Sequence, residues 1–147
     1  MDIAMVDANN SCFCFALRRA SRAVSQRYDH ALGCIGLRST QFNLMAGMAQ
    51  HEAKTLTQLA IYLGMDRTTL TRNLKPLLRA GWIATLSVSD RRSRPYCLTE
   101  KGKEILQLAF PIWAQYQQQI YSLFGKEYCE NMLVEFNHII ERSKNLV

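Results

Sequence analysis

Apolar positions along this chain recur mostly at helical spacing, with one short interruption where the period shortens. From Ser11 to Leu32, the residues Phe13, Leu17, Ala20, Val24, Tyr28 and Ala31 return every three or four positions, which predicts one long helix. Gly33 and Gly36 break that pattern. Ser39 is placed to N-cap a second helix carrying Phe42, Leu44, Met45 and Met48. In a short third helix Leu56, Leu59, Ala60 and Leu63 share a face, and Thr55 with Gln58 three positions on forms a capping box. Gly64 then supplies a turn, and Asp66 can accept the free N–H groups of a fourth helix. Leu70, Leu74, Leu77 and Leu78 lie on one side of that helix and predict its core face. Pro76 falls inside it and is expected to bend rather than stop it, because the leucines continue past it. The product is helix, tight turn, helix.

After Gly81 the pattern changes. Trp82 to Val88 is short and apolar with β-branched residues, and Pro95 to Leu98 resumes that character, so a β-hairpin is expected, tipped by Ser89, Asp90, Arg91, Arg92, Ser93 and Arg94. Thr99 is a suitable cap for the next helix, in which Ile105, Ala109, Trp113, Tyr116, Ile120 and Leu123 form a long stripe. Gly102 should weaken its first turn by about 1 kcal/mol relative to Ala, and Pro111 should kink it or split it in two. Gly125 ends the stripe. A final helix of about four turns carries Met132, Leu133, Phe136, Ile139 and Ile140 on its apolar face. Terminal helices that are apolar along their length, on so small a domain, suggest packing against a second copy. The fold class expected is mainly α with a small β-hairpin wing: a winged helix-turn-helix domain plus N- and C-terminal dimerisation helices. Residues 1–147 are expected to form a single domain, with 11–36 and 104–147 as dimerisation helices and 37–103 as the winged helix-turn-helix lobe.

Charge gives this outline a partner. Opposite the leucines of the fourth helix stand Thr68, Arg72, Lys75 and Arg79, with Thr69 on one flank and Arg67 near the N-terminus. An ordinary surface helix also keeps its charges outward, but it usually mixes their signs, and here no carboxylate occurs between Asp66 and Asp90. From Lys54 to Lys103 the basic residues are Lys54, Arg67, Arg72, Lys75, Arg79, Arg91, Arg92, Arg94, Lys101 and Lys103, against Asp66, Asp90 and Glu100. The whole chain carries a net charge of +6. Duplex DNA is the polyanion this distribution fits: Arg67, Thr68, Thr69, Arg72 and Lys75 can reach phosphates or base edges, with Thr68, Arg72 and Lys75 foremost for the major groove, and Arg91, Arg92 and Arg94 of the hairpin tip, Arg92 foremost, suit the minor groove. The competing reading is a non-catalytic interaction module whose basic face binds an acidic protein.

Other classes find little in the residues. His30, His51 and His138 are scattered, with no acid, base and nucleophile at a recognisable spacing, so no enzyme, cofactor or metal site is expected. There is neither a membrane-length apolar run nor a signal-peptide pattern, which leaves a cytoplasmic location as the default. Five cysteines, an odd number, argue for reduced thiols, and packing as small hydrophobes is the expectation for Cys12, Cys34 and Cys97.

In this element order several stretches resemble the MarR family of dimeric transcription regulators. The resemblance runs through Leu37, Thr40, Gln41 and Phe42, then Leu59, Ala60, Leu63, Gly64, Met65 and Asp66, and its most specific part is Asp90 and Arg92 followed by Leu98, Thr99, Glu100, Lys101 and Gly102. It implies a winged-helix homodimer held by the terminal helices, repressing transcription from a pseudo-palindromic operator in double-stranded DNA. The stretch Cys14, Phe15, Ala16, Leu17 is similar to the segment bearing the reactive thiol in the organic-hydroperoxide-sensing branch. That similarity implies oxidation of Cys14 and its resolution by a second thiol, Cys129 of the partner subunit; a buried, inert Cys14 is the alternative. The family implies a rival signal, a small aromatic or phenolic effector held by Arg18 or Arg22 between walls of Phe42, Met45, Trp113 and Tyr116.

Overall fold

Helix α1 (Phe13–Leu32) starts where the Cys12 sulfur accepts the Phe15 N–H at 3.4 Å, so a cysteine fills the role usually taken by Ser or Asp. The computed structural model describes residues 12–50, 54–87 and 94–145. A 3₁₀ turn (Gly33–Ile35) closes α1, and Gly36, at φ +72°, turns the chain into α2 (Ser39–Ala49).

Here the expected cap is displaced by one residue. Arg38 occupies the N-cap and Ser39 is the first helical residue, because both the N–H and the hydroxyl of Ser39 donate to Asp29 Oδ1 at 2.7 Å. The serine ties α2 back to α1 instead of capping its own helix. Helix α3 (Leu56–Leu63) has the capping box read from Thr55 and Gln58, with Thr55 N–H donating to Gln58 Oε1 at 2.9 Å. Gly64, at φ +61°, makes the tight turn into α4 (Arg67–Ala80). Pro76 does not stop α4. It and Arg72, whose carbonyl loses the i to i+4 donor, are both exposed, so the lost bond falls on the solvent side of the helix, away from the leucine core.

Gly81, at φ +71°, ends α4 and leads into an antiparallel hairpin of β1 (Ile83–Thr85) and β2 (Tyr96–Leu98), with Ile83 opposite Leu98 and Thr85 opposite Tyr96. The strands are shorter than the apolar pattern. Beyond them Leu86 N–H still donates to the Pro95 carbonyl at 2.9 Å. The expected tip, with Asp90, Arg91 and Arg92, lies outside the described residues. Lys54 and Tyr96 exchange backbone hydrogen bonds of 3.1 and 2.8 Å, which fastens the start of the α3 segment to β2.

Helix α5 (Glu100–Phe124) is capped by the Thr99 hydroxyl, which accepts the Gly102 N–H at 3.0 Å. It runs unbroken through Pro111, so the expected split does not occur. Pro111 and Gln107, four residues before it, are both exposed, and the lost hydrogen bond again falls on the solvent side of the helix. Gly125, at φ +90°, leads into α6 (Lys126–Ser143).

Packing centres on α2, which touches α1, α3, α4, α5 and β2. Leu44 and Met45 of α2 are fully buried together with Leu32, Leu37, Leu59, Leu70, Leu74 and Leu77. Each fully buried leucine contributes on the order of 1.5–3 kcal/mol relative to exposure. Leu78, expected on the core face, is instead 38% exposed, because the buried stripe of α4 is only three leucines wide. Phe42 of α2 stacks on Trp113 at 6.0 Å between centroids and meets Phe110 edge-on at 5.6 Å, fixing α2 against α5. One turn further along α5 the Tyr28 hydroxyl donates to Gln117 Oε1 at 2.5 Å and its ring lies 4.7 Å from that of Tyr116. Burial, reinforced by the ionisable Tyr116, Tyr121 and Cys129 nearby, pushes the Tyr28 phenol above its ordinary pKa.

The terminal helices leave much apolar surface open in a single chain. Leu123 is 76% exposed and Ile140 57%, with Val24, Leu133 and Phe136 also exposed.

Candidate nucleic-acid interface

The position of α4 is set before any charge is considered. Its leucines anchor one side, and its first turn is fastened by Asp66, whose two carboxylate oxygens accept the Thr69 N–H at 2.8 Å and the Thr69 hydroxyl at 2.6 Å. These two bonds, the hydroxyl's first, hold the Asp66 carboxyl below the usual carboxylate pKa. The opposite side of α4 then has nowhere to point but solvent.

On that side Arg67, Thr68, Arg72 and Lys75 are exposed and, with Thr71 and Leu56, line a shallow concavity of about 410 Å³. Arg67 to Lys75 extends about 12 Å along the helix axis, close to the width of a B-DNA major groove. Arg79 is exposed one turn further on. The ion pairs among the described residues join Lys103 to Glu100, Lys126 to Glu130, His138 to Glu135 and Lys144 to Glu141, and none involves a cation of α4. The cationic groups of this face are therefore unpaired there and available to phosphates or base edges.

Of the residues expected to contact DNA, the structure gathers Arg67, Thr68, Arg72 and Lys75 in one place. Thr69 stands apart: it is half-buried, and its hydroxyl is committed to Asp66. Arg94 is exposed at the base of the hairpin, while Arg91 and Arg92 lie outside the described residues. Two lining residues are additions. Thr71, which donates its hydroxyl to the Arg67 carbonyl at 2.7 Å, shares the face by its i+3 and i+4 spacing from Thr68 and Arg67, a signal present in the sequence. Leu56 comes from the start of α3, and only the packing of α3 on α4 brings it there.

The sensing residues fall differently. Cys12, Cys14 and Cys34 are exposed rather than packed as small hydrophobes, and Cys97 and Cys129 are half-buried. The reason for Cys12 and Cys14 is position: both stand at the open end of α1, where no other described element covers them. Cys129 acts on Tyr28, which lies about 21 Å along α1 from Cys14 at 1.5 Å per residue. Of the expected aromatic pocket, Phe42 and Met45 are core residues, filled around by α1, α4 and α5, and are not walls open to a ligand. Trp113 and Tyr116 are half-buried on α5, and Arg18 and Arg22 are exposed on α1. A second cavity, of about 420 Å³, lies elsewhere, between α1 and α6, and is lined by Leu17, Ala20, Val24, Phe136, Ile139 and Ile140 together with Ser21 and Ser25. Among the described residues no group of three or more His, Cys, Asp or Glu is placed to hold a metal ion, and no helix is long and apolar enough to cross a membrane.

The model of the MarR family matches residues 37–93, the segment from the start of α2 into the hairpin. The chain is 30% identical over 100 residues to the organic hydroperoxide resistance transcriptional regulator of Bacillus subtilis (strain 168), covering 67% of this chain and 68% of that one. It is 23% identical over 88 residues to YwoH, an uncharacterized HTH-type transcriptional regulator of the same bacterium, spanning 64% of its length. Among solved structures, the M. tuberculosis transcriptional regulator MosR in complex with DNA aligns with a TM-score of 0.79 at 34% identity, covering 90% of this chain and 98% of that one. The chain belongs to the MarR family of DNA-binding transcriptional regulators.

Proposed function

We propose that this chain works as a homodimer that reads a pseudo-palindromic operator in double-stranded DNA and represses transcription until a signal releases it. The observation that carries this reading is the unpaired basic face of α4, where Arg67, Arg72 and Lys75 surround one concavity on a helix whose other side is core. Thr68, Arg72 and Lys75 are assigned to the major groove, and Arg91, Arg92 and Arg94 of the wing to the narrow minor groove. The open apolar surface of α1, α5 and α6, with the cavity between α1 and α6, is the face a second copy covers. Residues 11–36 and 104–147 then hold the dimer and 37–103 the DNA. Twofold symmetry sets the two recognition helices about one turn of DNA apart. The DNA-bound state of the M. tuberculosis relative supports the assignment.

For the signal, the exposed thiol of Cys14 favours oxidation over an aromatic effector whose walls would include the buried Phe42 and Met45. The sulfur attacks a hydroperoxide, the O–O bond breaks, and an alcohol leaves while Cys14 becomes a sulfenic acid. Cys129 of the partner subunit then displaces water and closes a disulfide.

A salt titration tests the central claim. Affinity for the selected operator and for random duplex is measured between about 50 and 200 mM salt, where a protein making six or more phosphate contacts loses about 10³-fold or more. Arg72→Ala should weaken operator binding by about 1–3 kcal/mol and random-duplex binding far less. Salt-insensitive binding without sequence preference would instead favour an acidic protein as the partner of this face.

A further inference from the structure

The end of the recognition helix and the start of the long helix are joined by one side chain. Thr99 Oγ1 accepts the Gly102 N–H at 3.0 Å, which caps α5, and donates to the Gly81 carbonyl at 2.6 Å, which stands at the C-cap of α4. Around it, Thr99 N–H donates to the Trp82 carbonyl at 3.0 Å and Lys101 Nζ donates to the Ala80 carbonyl at 3.0 Å. Three successive carbonyls at the end of α4, those of Ala80, Gly81 and Trp82, are thus held by groups at the first turn of α5, and the Lys101 ammonium also sits favourably at a helix C-terminus. Gly102 closes the fit, because a Cβ there would lie 1.9 Å from the Trp82 carbonyl oxygen.

Elsewhere α4 packs against α2, α3 and β1, not along α5. Indirect routes through α2, where Phe42 meets Phe110 and Trp113, and through the β1–β2 hairpin also link the two helices, and this joint is the direct one. Helix α5 in turn carries α1, through Tyr28 and Gln117, and α6 at its far end. At 25 residues α5 is about 37 Å long, so a tilt of about 5° at the joint displaces its far end by about 3 Å, close to one base-pair step of DNA.

The geometry points to Thr99 as a positioning residue that converts the attitude of α5 into the attitude of the recognition helix. Its hydroxyl sets how strictly two copies enforce the spacing between operator half-sites. This rests on the twofold reading above, and the experiment separates the two. Two spin labels are introduced as unnatural amino acids at positions 79 and 115 of the full chain, diluted with unlabelled chain, and their distance distribution is recorded. Thr99→Val, which keeps the shape and loses the hydroxyl, should broaden it; Thr99→Ser should leave it as in the wild type. In parallel, affinity is measured for duplexes selected by the wild type and carrying zero, one or two extra base pairs between half-sites.

Each insertion turns the second half-site by roughly 34°, and the wild type should lose about tenfold or more per insertion. Thr99→Val should lose affinity for the unaltered duplex and discriminate between spacings less than about threefold, with Thr99→Ser restoring the wild-type profile. An unbroadened distance distribution in a folded Thr99→Val chain, or a wild-type spacing profile in that variant, overturns the proposal. A wild type indifferent to spacing, with Thr99→Val still broadening the distance, upholds the joint and removes the twofold reader instead.

Discussion

Gly102→Ala reverses the sign that helix propensity alone assigns to it. Alanine in the first turn of α5 would be favoured by about 1 kcal/mol over glycine if only the helix mattered. Here its Cβ would fall 1.9 Å from the Trp82 carbonyl oxygen and 2.9 Å from the carbonyl carbon, both backbone atoms that cannot swing aside. The start of α5 and the chain leaving α4 have to part by about 1.5 Å to reach ordinary contact. That movement stretches the 2.6 Å bond from Thr99 Oγ1 to Gly81 and the 3.0 Å bond from Thr99 N–H to Trp82, each contributing about 1 kcal/mol. Overpacking adds about 1–3 kcal/mol, so after the propensity gain the net destabilisation is about 2–4 kcal/mol. For a chain of this size that lowers Tm by about 5–15 °C. Calorimetry at matched chain concentration measures it, since an oligomer's Tm depends on concentration. A Tm equal to or above that of the wild type would refute the reasoning, because it would mean that the contact with Trp82 relaxes without cost.

Two further outcomes are expected. Asp66 has a depressed pKa in the folded chain, so its stabilising contribution is present above the ordinary carboxylate pKa near 4 and is lost as pH falls through the folded value; urea unfolding across that range should bring the wild type down towards Asp66→Asn, and Thr69→Val should move the Asp66 carboxyl, followed by NMR, back up towards its ordinary value. In a band-shift assay with cumene hydroperoxide, wild-type chain should release DNA and Cys14→Ser should hold it; release by Cys14→Ser would assign the signal elsewhere.

How far the fold was legible depended on whether a residue's partner lay nearby in sequence. Thr55 with Gln58 and Asp66 with the N–H of Thr69 are three-residue relations, and the sequence shows them. Ser39 was misplaced because its partner, Asp29, sits ten residues back on another helix. Gly102 reads as a weak spot in a helix until Trp82, twenty residues earlier, is brought against it. Pro111 misled where Pro76 did not: the leucines continuing past Pro76 marked α4 as unbroken, whereas at Pro111 periodicity alone did not weigh that the position lies on the exposed side of α5. The basic face was legible because outwardness follows from the leucines opposite it. The pocket was not, since apolar residues on α2 such as Phe42 and Met45 serve the core as readily as a ligand.

The energetics of α4 explain why its charge pattern carries functional weight. Arg72 with Lys75 and Lys75 with Arg79 are like-charged neighbours at i,i+3 and i,i+4, each pair costing about 0.2–0.5 kcal/mol. On the other side Leu70, Leu74 and Leu77 are fully buried, and each stabilises by on the order of 1.5–3 kcal/mol. Burial exceeds repulsion severalfold, so the helix folds whatever the sign of its exposed face. Stability therefore gives no reason for that face to lack a carboxylate, and replacing Lys75 by Glu would even improve the local pairing. An all-basic face is the arrangement a polyanion repays: when phosphates occupy it the repulsion is relieved, and the bound chain gains stability in proportion to ligand concentration over Kd.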